Sequence, residues 1–138
     1  MLDIQDWLDI QIKKNDLSNN RFEIIVQFKN QSSEEVSWKY ENALNKAELL
    51  SFTILNKNGK AIESLDFIIG TPKPCNEKAP KFQPGATQSY TISCQLLASG
   101  HLKVGDFHYP ITFNQKHSIL FQYGGINSNK ISWIPNEI

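Results

Sequence analysis

The chain has 138 residues, a length that suits one domain with its own core, and we expect residues 1–138 to form a single domain. Lys and Arg total 14 and Asp and Glu total 14, so no overall field attracts nucleic acid or an anionic membrane, and neither is predicted as a partner. No apolar run approaches the roughly 20 residues of a membrane span. The acidic start, with Asp3, Asp6 and Asp9, lacks the pattern of a secretory signal and predicts a soluble, cytoplasmic protein.

Alternating apolar and polar residues predict two strands near the start of the chain. Residues 8–12 alternate in this way, although residues 4–8 also fit one helical turn before the strand. Residues 22–28 alternate again, and the polar turn at 30–35 ends them. Both strands therefore have one face suited to a core.

The middle of the chain predicts three more strands. Residues 36–40 and 50–54 alternate, and the segment 41–48 between them favours helix but is so short that we interpret it as a connecting turn. Asn58-Gly59 predicts a type I′ hairpin turn, because that turn needs positive φ at both central residues. The turn leads to a fifth strand near residues 62–69.

The clearest pattern lies in residues 82–113. A Pro-Gly turn near its start is followed by alternation at 90–96 and again at 107–113, which predicts a hairpin with one buried and one wet face. Residues 119–123 and 129–134 predict two further strands.

Seven to nine short strands with almost no helix predict an all-β fold, an immunoglobulin-like antiparallel β-sandwich. If successive strands alternate in direction, the loops at 15–20, 41–48, 70–86 and 114–117 share one end of the sandwich. Loops on a rigid scaffold are typical recognition sites, so we expect this end to bind another protein. The predicted partner-binding residues are Glu41, Asn45, Thr71, Pro72, Lys73 and Pro74.

Residues with catalytic or metal-binding chemistry are sparse. The spacing of His101, His108 and His117 fits no ligand motif, and we expect His101 and His117 on the solvated surface and His108 at an outward strand position. The chain has no nucleophile elbow, phosphate loop or His-Glu-x-x-His motif, so we predict no enzyme activity, metal or cofactor. Cys94 shares parity with core residues and is expected to be a buried free thiol, not paired with Cys75.

Tryptophans leave a second hypothesis open. An exposed platform of Trp7, Trp38 and Trp133 would favour a carbohydrate- or small-ligand-binding sandwich. Trp38 has inward parity, however, and is expected in the core. A protein-binding module is therefore the leading hypothesis, and ligand binding is the alternative.

A series of short segments also carries a family resemblance. The segments are Leu8–Ile12, Ile25–Asn30, Leu50–Ile54, Asn58–Lys60, Phe82–Gly85 and Gly105–Phe107. Their order resembles the small immunoglobulin-like domain that precedes the catalytic domain of deuterolysin-type metallopeptidases, and the Pro-Gly turn and closing strand are similar to those of bacterial intracellular proteinase inhibitors. Because the peptidases' His-Glu-x-x-His helix is absent, the resemblance implies a non-catalytic accessory or inhibitory domain, such as an inhibitor or immunity protein.

Overall fold

The computed structural model describes residues 3–38, 52–65 and 81–137, and its secondary structure there is one helical turn and twelve strands. The helical turn α1 spans Ile4–Trp7, which resolves the ambiguity at the start of the first strand. The predicted all-β fold is confirmed. The strands are β1 Leu8–Asp16, β2 Arg21–Asn30, β3 Val36–Ser37, β4 Phe52–Leu55, β5 Ala61–Ile62, β6 Lys81–Phe82, β7 Thr87–Leu97, β8 His101–Val104, β9 Phe107–Pro110, β10 His117–Tyr123, β11 Ile126–Asn127 and β12 Ile131–Trp133.

Two antiparallel sheets form the sandwich. The first sheet has the order β1-β2-β7-β8-β9, and the second has the order β11-β10-β4-β5, with β12 also paired to β10. The short strands β3 and β6 pair separately. Apolar side chains from the inner faces of both main sheets form one core, because the alternation along each strand places every second residue there.

The first sheet shows how the sequence pattern sets its faces. On β2, Phe22, Ile24, Val26 and Phe28 are all buried, and the intervening residues are half-buried. Ile24 lies opposite Ile92 of β7, which is 5% exposed. The predicted inward parity of both strands is confirmed.

An aromatic cluster fills the end of the core near α1. The ring of Trp38 lies 5.6 Å from that of Trp7, 5.1 Å from that of Phe28 and 6.1 Å from that of Phe82. Trp38 is buried, as predicted, and its indole N–H has no hydrogen-bond acceptor among the described residues. Trp7 is buried beside it.

The hairpin predicted for residues 82–113 is wrong in one respect, because the segment forms three strands. The additional strand, β8, lies between the two predicted ones and pairs with both. Two tight turns make this possible: the N–H of Gly100 donates to the carbonyl of Leu97 (3.0 Å), and Gly105 has a φ of 58°.

The hairpin at Asn58-Gly59 is confirmed, but its predicted type I′ geometry is wrong. Gly59 has a φ of 77°, whereas Asn58 is not in the positive-φ region. The side-chain oxygen of Asn56 accepts hydrogen bonds from the N–H groups of Asn58 (2.9 Å) and Lys60 (3.0 Å). This side-chain turn stabilises a longer loop than the dipeptide alone indicates.

The predicted clustering of loops at one end is also wrong. The turn at residues 17–20 joins β1 to β2 at one end of the first sheet, whereas the turn at 83–86 lies at the other end, where the N–H of Gly85 donates to the carbonyl of Asn30 (2.7 Å). Between β2 and β7 the chain forms β3, which lies within the predicted strand 36–40, and β6, which was not predicted, and these two short strands pair with each other. Residues 41–48 and 70–80 lie outside the described residues.

A β-bulge joins the two sheets along one side of the sandwich. Gln122 of β10 pairs with Asn127 of β11, and Ile119 of β10 pairs with Ile131 of β12. Two residues of β10, 120–121, therefore lie opposite the three residues 128–130 between β11 and β12. Asn129 in this bulge reaches β1, where its Oδ1 accepts from the N–H of Ile12 (2.7 Å) and its Nδ2 donates to the Ile12 carbonyl (3.0 Å). The bulge thus turns one side chain toward the edge of the other sheet.

A main-chain segment covers part of the opposite side. The N–H of Leu65 donates to the carbonyl of His108 on β9 (2.8 Å), and the hydroxyl of Ser64 lies 3.3 Å from the same oxygen. The outer edge of the first sheet is therefore also engaged at this position.

Candidate functional site

None of the predicted partner-binding residues lies in the part of the chain that the structure describes. Glu41 and Asn45 fall within residues 39–51, and Thr71, Pro72, Lys73 and Pro74 fall within 66–80, both outside the described residues. Elsewhere on the described surface, concave regions bring chemically active side chains together.

A cleft of about 220 Å³ opens on the outer face of the first sheet, next to the turn between β1 and β2. Phe22 and Cys94, whose side chains belong to the core, also contribute to its lining. The remaining lining residues are Leu17, Arg21, Ser93, Gln95, Lys103 and Gly105.

Strand register brings the polar residues of the cleft together. Arg21 on β2 lies opposite Gln95 on β7, and Gln95 lies opposite Lys103 on β8. Each alternates with a buried neighbour, so the three side chains share the outer face. His108 on β9 extends the row by one strand.

The electrostatics of this row are positive. Arg21 is exposed and Lys103 is half-buried, and neither forms an ion pair with any described residue. Glu23 lies two residues along β2 on the same face, opposite Ser93, without pairing with Arg21. The two cations therefore have hydrogen-bond donors available for an external acceptor.

An apolar side chain borders these donors. Leu17 is 46% exposed, and its N–H donates to the carbonyl of Arg21 (2.9 Å), which fixes the turn. The same turn is attached to β7, because the N–H of Leu96 donates to the carbonyl of Asn20 (2.9 Å). The cleft thus combines cations, neutral donors and an apolar rim on a rigid frame.

Cys94 contributes to this cleft but is not suited to act as a nucleophile. The thiol is free and its residue is 2% exposed, as predicted for a core position. Burial raises the pKa of the Cys94 thiol to about 12, and the nearby charge of Lys14 opposes this only in part. The thiol is therefore protonated near neutral pH, and its role is that of a small core residue.

The predicted surface position of His117 is wrong. His117 is 1% exposed; its Nδ1 lies 2.8 Å from the carbonyl oxygen of Gln115, and its Nε2 accepts from the N–H of Thr112 (3.4 Å). Both ring nitrogens thus have main-chain partners that explain its burial. His101 and His108 are half-buried on the outer face of the first sheet, in agreement with the surface position predicted for His101 and the outward position predicted for His108.

The tryptophans do not form a common platform. Trp7 and Trp38 lie in the core, and the half-buried ring of Trp133 packs 5.7 Å from that of Phe22 and 6.1 Å from that of His117. An exposed stacking surface made of these three rings is therefore not formed, and the carbohydrate-binding alternative loses the feature on which it was based.

A second depression, of about 320 Å³, lies between β5 and β9. Thr53, Glu63, Ser64 and Tyr109 contribute its polar groups. Ser64 and Tyr109 already have polar or ring partners, and the hydroxyl of Ser64 lies within hydrogen-bond distance of the His108 carbonyl. The first cleft therefore offers the stronger set of available donors.

The chain matches no protein-family model, and no curated protein is significantly similar to it. Within residues 3–38, 52–65 and 81–137, no helix has the length and apolar character needed to cross a membrane. The same residues contain no group of three or more His, Cys, Asp or Glu side chains placed to hold a metal ion.

Proposed function

We propose that this chain is a non-catalytic protein-binding domain and that its partner contacts the cleft on the first sheet. The observation that carries the proposal is the pair of cations, Arg21 and Lys103, which have no ion-pair partner among the described residues and stand on hydrogen-bonded strands beside exposed Leu17. The strands that carry these side chains are paired before binding, so their backbone loses little conformational entropy when a partner arrives. This arrangement suits recognition.

The chemistry of the cleft supports binding over catalysis. Its thiol is buried and protonated near neutral pH, and the imidazole of His117 is engaged with the main chain elsewhere in the core. Arginine is enriched at protein interfaces because its planar guanidinium donates several hydrogen bonds at once. Arg21, which faces solvent in this cleft, is thus a residue type that is common in protein interfaces.

The narrower form of the proposal is an immunoglobulin-like inhibitor or immunity protein. Its support is the resemblance of the strand and turn segments to accessory domains of deuterolysin-type metallopeptidases and to intracellular proteinase inhibitors. In this form the partner would be an enzyme or toxin, and the cleft would contribute to the blocking surface.

Affinity capture with matched charge variants tests the proposal. The tagged wild-type chain, the double variant Arg21→Gln/Lys103→Gln and the control Lys29→Gln are incubated with native lysate from the source organism, and the captured proteins are quantified by mass spectrometry. Lys29 is on the same face of β2 as Arg21 but at its other end, so it controls for loss of charge alone.

We expect a specific protein that the wild type and Lys29→Gln both retain and that the double variant loses. Capture that is equal for all three chains contradicts a role for the cleft. Absence of any specific protein with the wild type contradicts the proposed function itself.

A further inference from the structure

We infer that the cleft recognises an acidic peptide segment, with a carboxylate held by Arg21 and Lys103 and a neighbouring apolar side chain placed on Leu17. This inference rests on the proposed function and adds the chemistry of the partner to it. It follows from three features of the described residues: the available donors, the spacing of the cations and the character of the rim.

The donors require an acceptor that is negatively charged. The guanidinium of Arg21 and the ammonium of Lys103 donate hydrogen bonds and accept none, and the hydroxyl of Ser93 and the amide of Gln95 add neutral donors to the same cleft. A carboxylate accepts several such bonds at once, and bonds between charged groups are the stronger ones. A neutral or cationic ligand would leave both cations unpaired.

The spacing of the cations suits a compact acidic group. Arg21 and Lys103 stand on strands separated by β7, which places their backbones roughly 10 Å apart at about 4.8 Å per strand. Both side chains are long and flexible, so their charged ends are able to converge above Gln95 between them. The cleft of about 220 Å³ is large enough for one or two side chains and not for a folded element.

The rim and the neighbouring charges favour a peptide over a polyanion. Leu17 gives the ligand an apolar contact, which a phosphate backbone would not use. Glu23 stands in the next row of the same face and would repel an extended chain of phosphates. The chain as a whole carries equal numbers of basic and acidic residues, so it lacks the field on which nucleic-acid binding depends.

Titration with two blocked peptides tests this inference. The ¹⁵N-labelled full chain is titrated with acetyl-Leu-Glu-Leu-Glu-amide and, separately, with acetyl-Leu-Gln-Leu-Gln-amide, and binding is followed by amide chemical shifts. The blocked ends ensure that carboxylates come only from the side chains. Inorganic phosphate and a short single-stranded oligonucleotide serve as the polyanion arms.

We expect the Glu peptide to shift the amides of Ser93, Gln95, Lys103 and Gly105. It should bind about 9- to 25-fold more tightly than the Gln peptide, since two exposed ion pairs each contribute about a three- to fivefold difference in affinity. Arg21→Gln and Lys103→Gln should each weaken binding about three- to fivefold. Lys29→Gln should leave it unchanged. Leu17→Ser should weaken both peptides.

Other outcomes separate this inference from the proposed function. Equal affinity for the Glu and Gln peptides, or shifts away from the cleft, overturns the inference, and so does tighter binding of phosphate or oligonucleotide than of the Glu peptide. If the peptide fails while capture of a protein partner still depends on Arg21 and Lys103, the proposed function stands and only the acidic ligand is wrong. The unfolding curve of each variant should match that of the wild type. A change in affinity then reflects the altered contact with the peptide and not a loss of folded protein.

Discussion

The side-chain amide of Asn30 donates a hydrogen bond of 2.9 Å to the main-chain carbonyl of Phe82 and so connects the end of β2 to β6. The same Nδ2 donates to the carbonyl of Glu34 (2.8 Å), and the Oδ1 accepts from the N–H (3.0 Å) and the hydroxyl (2.7 Å) of Ser32. Asn30 is fully buried. One amide therefore satisfies several polar groups at the point where the chain leaves the first sheet.

Replacing Asn30 with Ala should destabilise the fold strongly. The substitution leaves the buried carbonyl of Phe82 without this donor and the N–H of Ser32 without its acceptor, whereas the exposed Glu34 carbonyl keeps the bond from the Ser32 hydroxyl; an orphaned buried polar group costs about 1 to 3 kcal/mol. We expect the free energy of unfolding to fall by about 2 to 4 kcal/mol in a urea titration. The control Ser32→Ala removes only a hydroxyl at the edge of the network, and a loss as large as that of Asn30→Ala would contradict this account.

Ile92 and Thr91 test the two faces of β7. Ile92 is 5% exposed and Thr91 points outward from the same strand, so Ile92→Ala should lower the free energy of unfolding by about 2 to 5 kcal/mol. Thr91→Ala should change it by less than about 0.5 kcal/mol. Urea titrations of both variants under the same conditions provide the comparison. Similar losses for the two would mean that the parity of the strand is misassigned.

The long strands could be predicted from sequence because the sandwich buries one face of each. In β1, β2 and β7 every second residue faces the core over most of the strand, so the period-two pattern is unambiguous. The two-residue strands β3 and β6 exist because they pair with each other, and no local pattern specifies that pairing. β8 also alternates between half-buried and buried residues, but it has only four residues between two tight turns, so it was not predicted as a separate strand.

The candidate site could not be predicted in the same way. Arg21 and Lys103 are far apart in sequence and meet only through the register of β2, β7 and β8. No motif links them. His117 was predicted on the surface because it is a polar residue next to a turn. It is buried because main-chain groups of Thr112 and Gln115 lie within hydrogen-bond distance of both ring nitrogens.

Removing the side chain of Asn129 should weaken the attachment between the two sheets. Asn129→Ala leaves both the N–H and the carbonyl of Ile12 without their side-chain partners, and we expect the free energy of unfolding to fall by about 1 to 3 kcal/mol. Asn127→Ala is the matched control, because among the described residues its side-chain amide bonds only the exposed Gln122. Thermal and urea unfolding of the two variants measure the difference, and equal stabilities would show that the bonds to Ile12 contribute nothing.

The free energy of unfolding should fall at alkaline pH because the thiol of Cys94 is buried. Its pKa is raised from 9.0 to about 12, so above pH 9 the unfolded chain loses a proton that the folded chain retains. The unfolded state is then favoured, and the stability that is fully present below pH 9 declines as the pH rises toward 12, by up to about 1.4 kcal/mol per pH unit.

A background with Cys75→Ser isolates this effect, since it removes the other thiol of the chain. In that background we expect urea titrations between pH 8 and about pH 11 to show a steeper loss of stability with Cys94 than with Cys94→Ala, which lacks the ionisable group. Parallel pH dependences for the two chains would show that the thiol ionises equally in both states.

The bonds from Asn129 also determine how copies of this chain could meet. Without them, β1 presents an unpaired N–H and carbonyl at Ile12, whereas the carbonyl of His108 at the opposite edge of the sheet is already bonded to Leu65. Two chains that pair through β1 would do so antiparallel about a twofold axis, and each would cover the edge that the other exposes at Ile12. Loss of one amide should therefore produce a closed, symmetric dimer and not a growing fibre.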